Sequence, residues 1–145
     1  GRLDFARTFR DRAYEIAAMG GPRQSRSEDL LSVGRGALTA SFAFDVLRDH
    51  AGGIPDANRP QICAHAGWLP QRRSAQSTGS LVVDFGQADV ARAGFPLWTT
   101  ASSAPCCSLF KPGWLDQGAR PDWLPEFPDA RADQSHWWRH QLLLK

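Results

Sequence analysis

The residues of this chain best suited to chemistry are its thiols and imidazoles. Cys106 and Cys107 are adjacent, Cys63 and His65 flank one residue, and His136 and His140 stand four apart. A thiol becomes a useful nucleophile only when a nearby cation or a helix N-terminus lowers its pKa. Lys111 is the only cation within a few residues of the vicinal pair, and small buried residues at a strand junction are the plainer reading of Cys106 and Cys107. Cys63, His65, Cys106 and Cys107 also offer a donor set for zinc. Structural zinc usually draws on C-x₂₋₄-C pairs, however, and C-x-H with CC is poor spacing for closing a tetrahedron from strands. No metal is therefore expected. His136 and His140 share a helix face at a spacing that can hold a metal, but no acid or thiol is adjacent, so a solvated or loop-packing pair is expected. His65 is the histidine expected closest to a cleft, with a hydrogen-bonded core position as the alternative.

Hydroxyls form the second group. Thr78 with Ser80, and Thr100 with Ser102, alternate along strand-like runs, so each pair points to one face. They are able to orient an amide or an oxyanion, or equally to satisfy neighbouring backbone groups. Arg72-Arg73, Arg139 and six tryptophans raise nucleic-acid binding. Stacking surfaces interleave aromatics with basic residues along one face. Here the tryptophans sit mostly beside Pro and Leu and acids are mixed in throughout, so no nucleic-acid partner is expected.

These residues belong to a chain of 145 residues, enough for one domain with its own core. Its 42% apolar and 22% charged content is that of a globular protein, and a net charge of +2 favours no anionic partner. It contains no apolar run of the roughly 18 residues that a spanning helix needs, and its N-terminus lacks the layout of a signal peptide. An odd count of three cysteines permits one pair, Cys63 with either neighbour, because adjacent cysteines bond each other only with strain. Reduced thiols in a cytoplasmic protein are expected.

The positioning elements follow from pattern and punctuation. Asp4 to Ala18 carries Phe5, Phe9, Ala13, Ile16 and Ala17 on one stripe, a helix capped by Asp4 and ended by Gly20-Gly21-Pro22. Ser25-Arg26-Ser27-Glu28 reads as a capping box opening a second helix, which Gly34-Arg35-Gly36 interrupts. Thr39 or Ser41 caps a third, Phe42 to His50, stopped by Ala51-Gly52-Gly53. Gln61 to His65 reads as a short strand, Ser77 to Phe85 as the clearest strand, and a polar turn over 86–94 joins it to an antiparallel neighbour at Leu97. Leu97 to Pro112 reads as two short strands around a bend of small residues, Ala101 to Ala104, where another backbone or a substrate can approach closely. Residues 113–134 form a Trp- and Pro-rich loop, and Ser135 caps a helix over 135–145 that looks cut off within its pattern. The expectation is a single α+β domain over 1–145: a helical segment over 4–51 packed on antiparallel strands over 61–112.

Several of these segments together resemble the secernin and bacterial dipeptidase branch of the N-terminal nucleophile hydrolases. Leu30-Leu31 through Leu47-Arg48-Asp49-His50 resembles that family's pair of helices ending in LRDH. Ile62-Cys63-Ala64-His65 resembles its I-C-x-H strand, and Ser77 to Val82 its T-x-S-M-V strand. Trp98 with Ala104 to Pro112 resembles its W-x(n)-PC-x-S-x-F-x-P strand pair, and Ser135 to His140 its S-L-W-W-x-H helix start. The likeness runs over nearly the whole chain with the motifs in order.

The resemblance implies a four-layer αββα sandwich, of which these residues form one sheet and its helices. It implies hydrolysis of a peptide or other amide through an acyl-thioester, with no metal or organic cofactor. Members act through a cysteine at the mature N-terminus whose own α-amino group is the base. Gly1 cannot play that part, and Cys63, Cys106 and Cys107 are internal. The chain is thus expected to be the C-terminal part of a catalytic domain, carrying no catalytic residue and inactive alone. His65, Thr78, Ser80 and Thr100 are expected to line the substrate cleft, with Cys106 packed near it. The expected partners are the missing N-terminal half, a peptide or amide substrate, and a second copy of the chain if a sheet face is left bare. Alternatively the chain is a non-catalytic secernin-like scaffold or interaction module; a small zinc protein is the third reading.

Overall fold

The computed structural model describes residues 3–13, 15, 19–55, 59–65, 76–86, 94–115 and 131–144. Local capping starts its first helix: the Asp4 carboxylate accepts from the Arg7 amide at the head of α1 (Phe5–Phe9). At Arg10 the backbone turns extended, so the expected Asp4–Ala18 helix is broken there, and positions 14 and 16–18 lie outside the described residues. Helical backbone resumes at Arg12, Ala13 and Glu15, and the helix beyond them, α2 (Gly20–Val33), corrects two expectations. Gly20-Gly21-Pro22 begins it instead of ending its predecessor, since a first-turn proline forfeits no helical hydrogen bond. Ser25 lies inside it, so the S-x-x-E run is not a capping box; Ser27 and Ser32 return their hydroxyls to the carbonyls of Arg23 and Glu28.

Gly34 closes α2, its amide reaching the Leu30 carbonyl. It also lies against the Phe42 ring, which occupies the space a Cβ would need. Thr39 then accepts from the Phe42 amide and opens α3 (Ala40–Leu47), which stops at Arg48, short of the expected His50. The last helix, α4 (His136–Leu143), starts as expected, with the Ser135 hydroxyl accepting from the Trp138 amide.

Among the described residues, three short strands make one antiparallel sheet in the order β1 (Leu81–Val83), β2 (Phe95–Thr99), β3 (Lys111–Leu115). Leu81 faces Thr99, and Thr99 faces Lys111 in turn. The Ser77–Phe85 strand is thus pared to its centre, and Leu109-Phe110 precedes β3 instead of forming it. Gln61–His65 is not a strand. It is a run of bends whose amides go elsewhere, Cys63 to the Asp49 carbonyl and Ala64 to the Ser77 hydroxyl. The expected 113–134 loop begins inside β3, and its remainder over 116–130, with Trp123 and Phe127, lies outside the described residues, as do 87–93 of the polar turn.

Helix packs on sheet through aromatics. Phe44 of α3 stacks on Phe110 with centroids 4.2 Å apart and meets the edge of Trp98 in β2 at 5.8 Å. The architecture is therefore α+β, helix on antiparallel sheet. Among the described residues, Cys63 and Ala104 are the buried hydrophobic side chains, and the other well-buried positions include Thr100, Ser102, Ser103 and Ser108. Leu81, Leu109, Trp114 and Leu115 stay exposed. No described helix is long and apolar enough to cross a membrane.

Candidate functional site

The end of α3, the bends at 61–65 and the 3-10 turn Pro105–Cys107 meet at one point. His50, Cys63, His65 and Cys106 bring their donor atoms within 4.8 Å of one another. His65 is at the centre: its Nε2 lies 3.2 Å from His50 Nε2, 3.4 Å from Cys63 Sγ and 3.3 Å from Cys106 Sγ. Cys63 is fully buried and the other three are partly so. Cys107 is exposed and outside the group, with its sulfur 3.5 Å from that of Cys106.

Each segment is pinned by side chains from the helices. The Arg48 guanidinium, just past α3, donates to the carbonyls of Pro105 (3.1 Å) and Ser108 (2.8 Å) and covers the Phe110 ring. These bonds fix the turn that carries Cys106. From α2, Arg26 clamps the Asp49 carboxylate through two hydrogen bonds and Arg23 donates to the Ile62 carbonyl. The Arg26 guanidinium, together with the Ala51 amide, holds Asp49 below the usual carboxylate range. Ala51 adopts a left-handed backbone (φ 55°) that turns the chain back after His50.

The electrostatics disfavour a free thiolate. Burial raises the Cys63 thiol above its ordinary value, opposed by hydrogen bonds from the Cys106 amide and thiol. Burial, reinforced by Cys107 and Cys63, pushes Cys106 up to about 12. Burial and then His50 lower the His65 imidazole. Thiols raised in this way beside an imidazole that burial lowers are not an activated nucleophile pair. They are donors that a dication would convert to ligands, since a coordinating thiol is deprotonated outright.

The other anticipated cleft residues divide. Thr100 is fully buried and its hydroxyl is spent inside the chain, donating to the Ser102 carbonyl and accepting from the Ser80 amide. Ser80 therefore adjoins Thr100, whereas Thr78, two residues earlier, is exposed. Ser102 meets Ser108 Oγ at 2.9 Å, and Ser108 meets His140 Nε2 at 3.2 Å. A serine beside a histidine suggests a nucleophile, but Ser108 is 5% exposed and also touches the Ser103 and Ala104 carbonyls. It fastens α4 to the small-residue bend, as does Gln141 through Ser103. His136 and His140 lie with rings 6.4 Å apart, and burial together with Lys111, His140 and Arg139 lowers His136.

Sequence reasoning missed His50. Its signals were its place in the Leu47-Arg48-Asp49-His50 segment and its position two residues past the cap of a helix that ends near a C-x-H. No protein-family model, curated protein or solved structure matches this chain.

Proposed function

We propose that this chain is part of a thiol-dependent amidohydrolase of the N-terminal nucleophile type, hydrolysing a peptide or other amide bond through an acyl-thioester. One observation carries the reading. The segments that resemble the dipeptidase and secernin branch are separated along the sequence, yet they bond to one another. Arg48 of the LRDH segment holds Pro105 and Ser108 of the PC-x-S run, and the Asp49 carbonyl accepts from Cys63 of the I-C-x-H segment. Ala64 and Ala104 both bond Ser77 of the T-x-S segment, and His140 of the last segment meets Ser108. Motifs that interlock in this way describe one built unit, which is what an inherited scaffold requires.

Each residue then has a limited part. Cys63, Cys106 and Cys107 all have their amino groups tied up in peptide bonds, so none can use its own α-amine as base. The attacking cysteine belongs to residues outside this sequence. Within it, the approach to β1 carries Thr78 and Ser80 toward the cleft, with Thr100 bracing Ser80 from behind. The exposed Leu81 and Leu115, on the sheet face opposite Trp98, face the remaining part of the sandwich.

The test uses the full-length protein. Its mature N-terminus is read by mass spectrometry, and hydrolysis of a dipeptide panel is assayed before and after replacement of an N-terminal cysteine by alanine. The reading expects an N-terminal cysteine whose replacement abolishes hydrolysis. A mature chain without that cysteine, or activity that survives its replacement, overturns the reading; a protein with no such cysteine that hydrolyses none of the panel leaves the non-catalytic scaffold.

A further inference from the structure

We propose that His50, Cys63, His65 and Cys106 form a closed, four-coordinate zinc site that staples three distant segments of the chain together. Two thiolates and two imidazoles at tetrahedral spacing are a donor set for zinc. Typical zinc–ligand lengths place tetrahedral nitrogens about 3.4 Å apart and nitrogen from sulfur about 3.6 Å. The separations here are 3.2 Å between the imidazole nitrogens and 3.4 and 3.3 Å from His65 to the two sulfurs. The three separations from His65 thus match those about a single ion, and all four donors lie within 4.8 Å of one another. Hydrogen bonding alone does not explain the gathering. His65 Nε2 faces three neighbours at once, and a neutral imidazole nitrogen carries one proton or one lone pair, which serves one of them well.

Charge closes as well as geometry. Each thiol loses its proton to solvent as its sulfur–zinc bond forms, and both imidazoles bind through neutral Nε2, so two thiolates cancel the two charges of the ion. With four protein donors no position is left for water or substrate, which makes the site structural rather than catalytic. A staple has work to do here. The described core is mostly small and polar, and the metal would join the end of α3 to the 61–65 bends and to the Pro105–Cys107 turn across sequence separations of 15 and 41 residues. Binding energy at such a site is folding energy. The spacing argument against zinc assumed that Cys107 was the fourth donor; His50 takes that place, and Cys107 stays outside.

This site stands independently of the amidohydrolase reading, because its test measures metal and not hydrolysis. The purified full-length protein is analysed for metals, then stripped and reloaded with Co²⁺ for visible spectroscopy. The expected result is one zinc per chain and, with cobalt, the intense d–d bands of a tetrahedral site with thiolate charge transfer. H50Q and C106S each lose the bound equivalent, while C107S keeps it. A folded protein that holds no zinc and gives no such cobalt spectrum overturns the proposal, and so does loss of metal by C107S. If H50Q or C106S fails to fold, the cobalt spectrum of the unaltered protein decides alone.

Discussion

Arg48→Ala offers the sharpest mechanical test of how the centre is assembled. The side chain makes two charge-assisted hydrogen bonds, at 3.1 Å to Pro105 and 2.8 Å to Ser108, and its guanidinium carbon lies 4.9 Å from the Phe110 ring centre. Buried bonds of this kind contribute about 1.5–3 kcal/mol each, but the site is half-buried, so about 1 kcal/mol apiece is the appropriate figure. The ring contact adds roughly 0.5 kcal/mol. Truncation should therefore destabilise by about 2–2.5 kcal/mol, a fall of more than 30-fold in the folded-to-unfolded ratio. Urea unfolding reads this as a lower midpoint at unchanged slope. Arg48→Lys, which keeps the charge but not the fork, should recover about half. Because the turn that carries Cys106 loses its tether, Arg48→Ala should also weaken metal retention. A loss below about 0.5 kcal/mol, typical of an exposed surface site, would refute the role given to Arg48.

Further outcomes follow from the same contacts. Phe44→Ala removes the stack on Phe110 and the edge contact with Trp98; for a half-buried ring this costs about 2–3 kcal/mol in chemical unfolding, less than the 3–5 kcal/mol of a fully buried one. Ser108→Ala leaves Ser102, His140 and two carbonyls short of a partner and should cost about 1–2 kcal/mol. His136 has a folded pKa depressed by burial, Lys111, His140 and Arg139. The unfolded chain therefore takes up its proton first, and His136 erodes stability as pH falls below about 6.5. His136→Gln should flatten that slope, and an NMR titration placing His136 at or above 6.5 would contradict it.

The helix starts were legible because capping is local chemistry. Asp4, Thr39 and Ser135 each satisfy an amide three residues on, and the sequence shows donor and acceptor together. Gly20-Gly21-Pro22 was not, since the same three residues suit a helix end and a first turn, and only tertiary context separates them. Gln61–His65 had the composition of a strand but pairs with none of the described strands; its Cys63 and Ala64 amides are claimed by Asp49 and Ser77, residues 13 or more positions away. The antiparallel pairing of β1 with β2 was readable from the polar 86–94 stretch between two strand-like runs. The centre was half readable. Cys63, His65 and Cys106 were singled out, but no spacing rule reports that the end of one helix arrives beside a turn 57 residues later.

The convergence of His50, Cys63, His65 and Cys106 on one point underlies both the interlocked motifs and the proposed staple. X-ray absorption at the zinc edge of the purified full-length protein measures it directly. Two sulfurs at about 2.3 Å and two nitrogens at about 2.0 Å are predicted. A shell of light atoms alone, or no zinc in folded protein, would contradict it.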